Sequence, residues 1–201
     1  MNITLRCSLI GESGVGKTSF VSSFINKEVL TKYIPITIGV EFNSKSMIIE
    51  NNVVKLIIWD TAGLERFRSI TRAYYIKSNI FLILYDITNK KSFENINYWY
   101  NEIIKLCLED KVIMLIGNKS DLSNRAVEFE DGLKFAEERS IFFEETNVNE
   151  IDKINTIIEK MVKEFVKKYK ANKRNLEISE NYELSNKKSY KKSIKKYCCF
   201  F

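Results

Sequence analysis

Gly11-Glu12-Ser13-Gly14-Val15-Gly16-Lys17-Thr18, the stretch GESGVGKT at residues 11–18, follows the apolar run ITLRCSLI at 3–10 and opens a helical pattern from Lys17 to Asn26. A strand, a glycine-rich turn and a helix with the spacing G-x-x-x-x-G-K-[ST] make a phosphate cradle. Glycines let the backbone wrap, so that the N–H groups of Ser13, Gly14, Val15 and Gly16 can point at phosphate oxygens. The helix that follows adds its positive end. Lys17 supplies a point charge for the β and γ phosphates. Thr18 offers a hydroxyl to Mg²⁺, and Ser19 sits beside it in the first helical turn. A chance glycine turn is the plain alternative, and the flanking strand and helix weigh against it.

Outward from this loop, apolar runs alternate with helical stretches. Strands are expected at 3–10, 40–50, 53–59, 80–87, 111–117 and 141–145, with Asn51-Asn52 as the turn of a hairpin between the second and third. IFLILYDI (80–87) and KVIMLIG (111–117) are continuously apolar, as parallel strands buried on both faces are. Helical spacing covers 91–108 and 130–138. From 150 to 170 it places Ile151, Ile154, Ile157, Ile158, Met161, Val162, Phe165 and Val166 on one face, a packing stripe. The pattern predicts an α/β fold: an open, mostly parallel six-stranded sheet with helices on both faces and ligands at the carboxyl ends of its strands.

Charge is unevenly spread. The 201 residues carry +6, but from Asn172 onward there are eight Lys/Arg and three Glu, a net of +5. The expected globular part, 1–171, is therefore near neutral, and 172–201 reads as a flexible basic tail. That distribution argues against a nucleic-acid-binding face on the domain and for an anionic membrane as the tail's partner. Four cysteines make no disulfide framework: Cys7 and Cys107 read as small core residues, and Cys198 and Cys199 are adjacent. No apolar leader or membrane-length run is present, so the expected compartment is intracellular and reducing.

Two further clusters carry chemistry. Asp60 ends the strand KLIIWD and is placed to hold Mg²⁺, with Thr37 as a second hydroxyl and the Gly63 N–H as a donor to a γ-phosphate. Asn118-Lys119-Ser120-Asp121 follows the strand KVIMLIG. The Asp121 carboxylate can accept from both N1–H and the 2-amino group of guanine, a pair that adenine lacks, and the Lys119 stem can lie over the base. An ATP-using P-loop kinase or ATPase is the reading that Asp121 opposes.

Together GESGVGKT, Thr37, DTAG at 60–63, NKSD at 118–121 and the CC-containing basic tail resemble the Ras-superfamily small GTPases. IGVEF (38–42), KLIIWDTAG (55–63), ERFRSI (65–70) and LILYDIT (82–88) are similar to segments of the Rab branch. The resemblance implies the P-loop small GTPase fold, GTP or GDP as ligand, and Mg²⁺ as cofactor. It implies a monomer that switches effector, exchange-factor and activating-protein binding, with Ile38, Phe42, Trp59, Phe67 and Tyr74 on the surface that effectors read. Thr146, Asn147 and Val148 occupy the position of a guanine-contacting loop. Cys198 and Cys199 would receive geranylgeranyl groups, although the C-a-a-X reading lipidates Cys198 alone. With the pairs Lys187-Lys188, Lys191-Lys192 and Lys195-Lys196 these would hold the protein on the cytoplasmic face of an endomembrane, beside a soluble cytosolic pool. Vesicle trafficking is the implied process.

The departures are informative. Leu64 stands where the family places the water-orienting glutamine, and leucine forms no hydrogen bond, so slow hydrolysis and a long-lived GTP state are expected. Glu65 is an alternative water-orienting group. The alternative function is a hydrolysis-deficient, persistently GTP-bound membrane scaffold. The spacing from Lys17 to Thr37 is one residue longer than is usual for Rabs, and YYIKSN at 74–79 also departs from their pattern.

Overall fold

In a computed structural model, the alternation of strands and helices forms one six-stranded sheet in the spatial order β2-β3-β1-β4-β5-β6. The structure describes residues 2–27, 37, 39–61, 63, 68–106 and 111–171. The strands are β1 (Asn2–Ile10), β2 (Val40–Ile49), β3 (Asn52–Thr61), β4 (Ile80–Asp86), β5 (Val112–Asn118) and β6 (Phe142–Glu145). The helices are α1 (Lys17–Asn26), α2 (Arg68–Tyr75), α3 (Lys90–Glu94), α4 (Ile96–Leu106) and α5 (Phe129–Glu138), with α6 over 151–171. Contact density divides the chain into two units, Met1–Phe165 and Val166–Phe201. Of the second, residues 166–171 are described, and they are helical.

β1 pairs in parallel with β3 and β4, β4 with β5, and β5 with β6, while β2 runs antiparallel to β3 at the edge. β4 and β5 are buried at every position. The register sorts their side chains onto two faces. Cys7 lies beside Ile58 and Ile80, and Leu9 beside Leu82 and, one strand further, Met114. On the other face Ile10, Phe81, Ile83, Tyr85, Ile113 and Leu115 pack with Tyr75, Ile96, Trp99 and Ile103 from α2 and α4. α1 packs on β2 and β3. Helices cover both faces, and each fully buried Leu or Ile contributes about 1.5–3 kcal/mol. Ile154, Ile157, Ile158, Met161, Val162 and Phe165 of the α6 stripe are buried, and Ile151 is half-buried.

Two details differ from the expected elements. The hairpin turn is Glu50-Asn51, at φ 47° and 62°, one residue earlier than Asn51-Asn52. Asn52 pairs with Ile49 instead, and its buried amide donates to the carbonyls of Ile49 and Glu50. Both turn residues are left-handed, as the tightest hairpin connection requires. The expected helix at 91–108 is two, interrupted at Asn95, whose N–H bonds to the carbonyls of Lys91 and Phe93. α2, eight residues long, is not among the expected elements, although its Ile70, Ala73 and Tyr74 do recur at a helical period.

Chain order diverges at β1: β3 and β2 lie to one side of it, β4 to β6 to the other. The crevice between the carboxyl ends of β1 and β4 is where ligands of such sheets bind. The GESGVGKT loop leaves β1 there.

Candidate functional site

The loop's geometry follows from its glycines. Gly16 caps α1 with φ 94°, a left-handed conformation that side chains resist, and a Cβ there would run into the Asn118 amide. Among the described residues, the N–H groups of Ser13, Gly14, Val15 and Gly16 have no hydrogen-bond partner. Four adjacent undonated N–H groups at a helix start form an anion cradle. Lys17 is buried below them, and its Nζ donates to the carbonyls of Gly11 and Glu12 at 2.9 and 2.8 Å. Burial pushes its pKa down to about 8, against the pull of the Asp60 and Glu12 carboxylates. An anion set over this buried cation would relieve that cost.

Beside Lys17, three chain segments converge. Thr18 Oγ1 donates to Asp60 Oδ2 at 2.6 Å and lies 2.9 Å from Thr37 Oγ1. Asp60 is 1% exposed, and its Oδ1 has no partner. Burial raises the Asp60 carboxyl above its ordinary range and Glu41 adds to the rise, despite the Thr18 bond and the Lys17 charge. An orphaned buried carboxylate oxygen next to two hydroxyls suits a hard divalent cation that keeps water and phosphate ligands. Among the described residues there is no cluster of three His, Cys, Asp or Glu, so an all-protein metal cage is absent from them. Gly63 lies against the backbone of Glu12 and Ser13, so closely that a Cβ would not fit.

The Asn118-Lys119-Ser120-Asp121 loop leaves β5 and docks on the phosphate loop. The fully buried Asn118 donates from Nδ2 to the Val15 carbonyl at 2.8 Å, and its Oδ1 is unpartnered. Lys119, at φ 66°, donates to the Gly14 carbonyl at 2.9 Å and pairs with Asp86 Oδ2 at 2.5 Å. Burial alone would raise the Asp86 carboxyl, but the bonds from Lys119 and Thr88 outweigh it and hold it below the ordinary carboxylate range. Asp121 is exposed at the end of this loop. The loop after β6 joins it: Ser120 N–H donates to the Thr146 carbonyl, and Asn147 Nδ2 to Ser120 Oγ. Glu150 accepts from the Thr146 hydroxyl and the Asn147 N–H, and Ser23 of α1 donates to the Val148 carbonyl. Among the described residues the Val148 N–H has no partner, which leaves it as a donor for a ligand.

Sequence reasoning passed over several supports of this site. Arg125 makes a two-pronged pair with Glu145, both bonds 2.7 Å, which ties the segment after Asp121 to the strand before Thr146. Trp99 Nε1 donates to Glu12 Oε1 at 3.1 Å. Asp86 was visible only as part of LILYDIT. None of these has a spacing signal, because each pairing spans distant chain. A second surface lies on β2, β3 and α2, where the rings of Phe42, Trp59 and Tyr74 meet edge-on at centroid distances of 5.1 to 6.5 Å. Phe42 is 60% exposed. Ile38, Leu64, Glu65, Phe67, Cys107, Cys198, Cys199 and the tail 172–201 lie outside the described residues. Among those described, no helix is long and apolar enough to cross a membrane.

A glycine turn opening a helix, a hydroxyl–carboxylate cluster and an Asn-Lys loop docked on that turn also describe proteins of known kind. The family model described as "Ras family" matches residues 6–167. The Ras-related protein Rab-18 of Caenorhabditis elegans is 40% identical over 164 residues, covering 81% of this chain and 80% of its own. The Ras-related protein Rab-37 of Mus musculus is 39% identical over 205 residues, covering all of this chain and 88% of its own. The Rab-37 of Homo sapiens is 46% identical over 147 residues, 73% of this chain and 66% of its own. With a match of this extent laid over this architecture, the chain belongs to the Ras family of small GTPases, in its Rab branch.

Proposed function

We propose that the protein is a guanine-nucleotide switch of intracellular membrane trafficking, which binds GTP or GDP with Mg²⁺ and recruits effectors when GTP-bound. The observation that supports this reading is the docking of Asn118 and Lys119, in the loop that carries Asp121, on the Val15 and Gly14 carbonyls of the phosphate loop. Asp121 would accept from the guanine edge, Lys119 would cover the base, and the loop Thr146-Asn147-Val148 would offer the Val148 N–H. Thr18, Thr37 and Asp60 would hold Mg²⁺, which when bound supplies positive charge to the β and γ phosphates. The Gly63 N–H would bond the γ-phosphate. Loss of that phosphate would release both Thr37 and Gly63, whose segments flank the Phe42–Trp59–Tyr74 surface, and effectors would sense the change there.

Leu64 makes hydrolysis slow in this reading, because no side chain at that position orients the attacking water. A second reading, a persistently GTP-bound membrane scaffold, rests on the same residue. Cys198 and Cys199, prenylated, and the basic tail would place the switch on an endomembrane as a monomer in exchange with a cytosolic pool.

Competition binding tests the ligand. With Mg²⁺ present, GDP should displace a fluorescent GDP analogue at least about a thousand-fold better than ADP, because a site built for two donors rejects the analogue without them. Asp121→Ala should erase most of that preference. Equal affinity for GDP and ADP in the unaltered protein would return the chain to the ATP-using class.

A further inference from the structure

LILYDIT holds an acidic residue that the nucleotide-binding reading leaves without a task. Asp86 ends β4, directly in register with Asn118 of β5, and the Ile87 N–H bonds to the Asn118 carbonyl at 3.1 Å. Its backbone is fixed by Ser92, whose Oγ accepts from the Asp86 N–H at 3.0 Å. One carboxylate oxygen, Oδ1, accepts from the Thr88 N–H and hydroxyl at 2.8 and 2.7 Å. The carboxylate plane is therefore set, and Oδ2 faces Lys119. Lys119 sits in a left-handed conformation that a side chain adopts at a cost, and its ammonium spans from Asp86 to the Gly14 carbonyl. With a neutral carbonyl as its only partner, a half-exposed ammonium would leave readily for solvent. A fixed carboxylate behind it removes that option.

We infer that Asp86 is a positioning residue for the nucleotide: through Lys119 it clasps the phosphate loop to the loop carrying Asp121 and so slows nucleotide release. The inference rests on the guanine-nucleotide reading. It assigns the Asp-Ile-Thr of LILYDIT a physical task, with Thr88 orienting Asp86, Asp86 holding Lys119, and Lys119 tying down Gly14. Both Asp86 oxygens are engaged, Oδ1 by Thr88 and Oδ2 by Lys119, so the clasp affects how long a nucleotide stays and leaves base preference alone.

Release of a fluorescent GDP analogue from the full-length protein with Mg²⁺ tests this. Asp86→Asn keeps the volume and an acceptor for Thr88 but turns an amide toward the Lys119 ammonium. It should speed release about ten-fold or more, as loss of one partner of a shielded charge pair raises the off-rate. Competition by inosine diphosphate relative to GDP should stay unchanged. In a Lys119→Met background, Asp86→Asn should add nothing, because the two changes cut the same link. Thr88→Val, which removes only one orienting bond, should speed release by a smaller factor of about two to three, also lost in Lys119→Met. Unchanged release in Asp86→Asn, an equal acceleration in both backgrounds, or an altered base preference would each overturn the inference. Failure of the unaltered protein to bind the analogue would instead refute the nucleotide reading beneath it.

Discussion

Asp60→Asn separates what this residue does for the fold from what it does for the site. The side chain is 1% exposed; Oδ2 accepts from Thr18 at 2.6 Å and Oδ1 has no partner. Asparagine keeps the volume and the Thr18 bond but replaces an unpaired charged oxygen by an unpaired neutral amide. A buried group without a partner costs about 1–3 kcal/mol, and more when charged. The nearby Lys17 ammonium recovers part of the carboxylate's cost, so the exchange should stabilise metal-free protein by about 1 kcal/mol. For a chain of this size that is a rise of about 2–4 °C in Tm. With Mg²⁺ and GDP at a hundred times their Kd, the unaltered protein should gain about 2.7 kcal/mol by mass action. The variant, lacking the anion that would hold Mg²⁺, should gain much less, so the order of melting inverts. Thermal melting in EDTA, and again in Mg²⁺ with GDP, reads both halves. A variant melting several degrees lower in EDTA, or showing the same shift in both buffers, would refute the reasoning.

Three further outcomes follow from particular residues. Arg125→Met leaves the Glu145 carboxylate, 9% exposed, without its cation. Breaking a buried pair costs 3–5 kcal/mol, which the partly exposed arginine reduces to about 2, a fall of about 4–8 °C in Tm. An unchanged Tm would show that water serves Glu145 equally well. Tyr85→Phe removes a buried hydroxyl that has no partner and lies against Gly117 and Gly132. It should raise Tm by about 2–4 °C, and a clear fall would show that the hydroxyl is bonded. Leu64→Gln restores a water-orienting amide and should speed single-turnover GTP hydrolysis about ten-fold or more, whereas an unchanged rate would remove Leu64 as the cause of slow turnover.

The parts of the site that were legible in the sequence are those fixed by short spacing. GESGVGKT, Asp60 and NKSD each sit where an apolar run ends, so a strand's carboxyl end could be read directly, and the sheet then brought all three to one edge. The continuous apolar runs of β4 and β5 identified the central strands because, among the described strands, these two are buried at every position. Three kinds of feature escaped. The hairpin turn shifted by one residue because Asn52 is worth more inside, bonding two carbonyls, than in the turn itself. The break at Asn95 depends on capping bonds that no periodicity marks. Arg125–Glu145, Trp99–Glu12 and Asp86–Lys119 are long-range pairings, and a single charged or aromatic residue looks the same whether it braces a loop or faces water.

The most direct test of the central claim is the identity of the nucleotide that accompanies the protein through purification in Mg²⁺. Denaturing the protein and separating the released small molecules should give one equivalent of guanine nucleotide, with GTP a substantial share of it, as the proposed slow hydrolysis at Leu64 requires. An adenine nucleotide, or no nucleotide at all, would contradict the account.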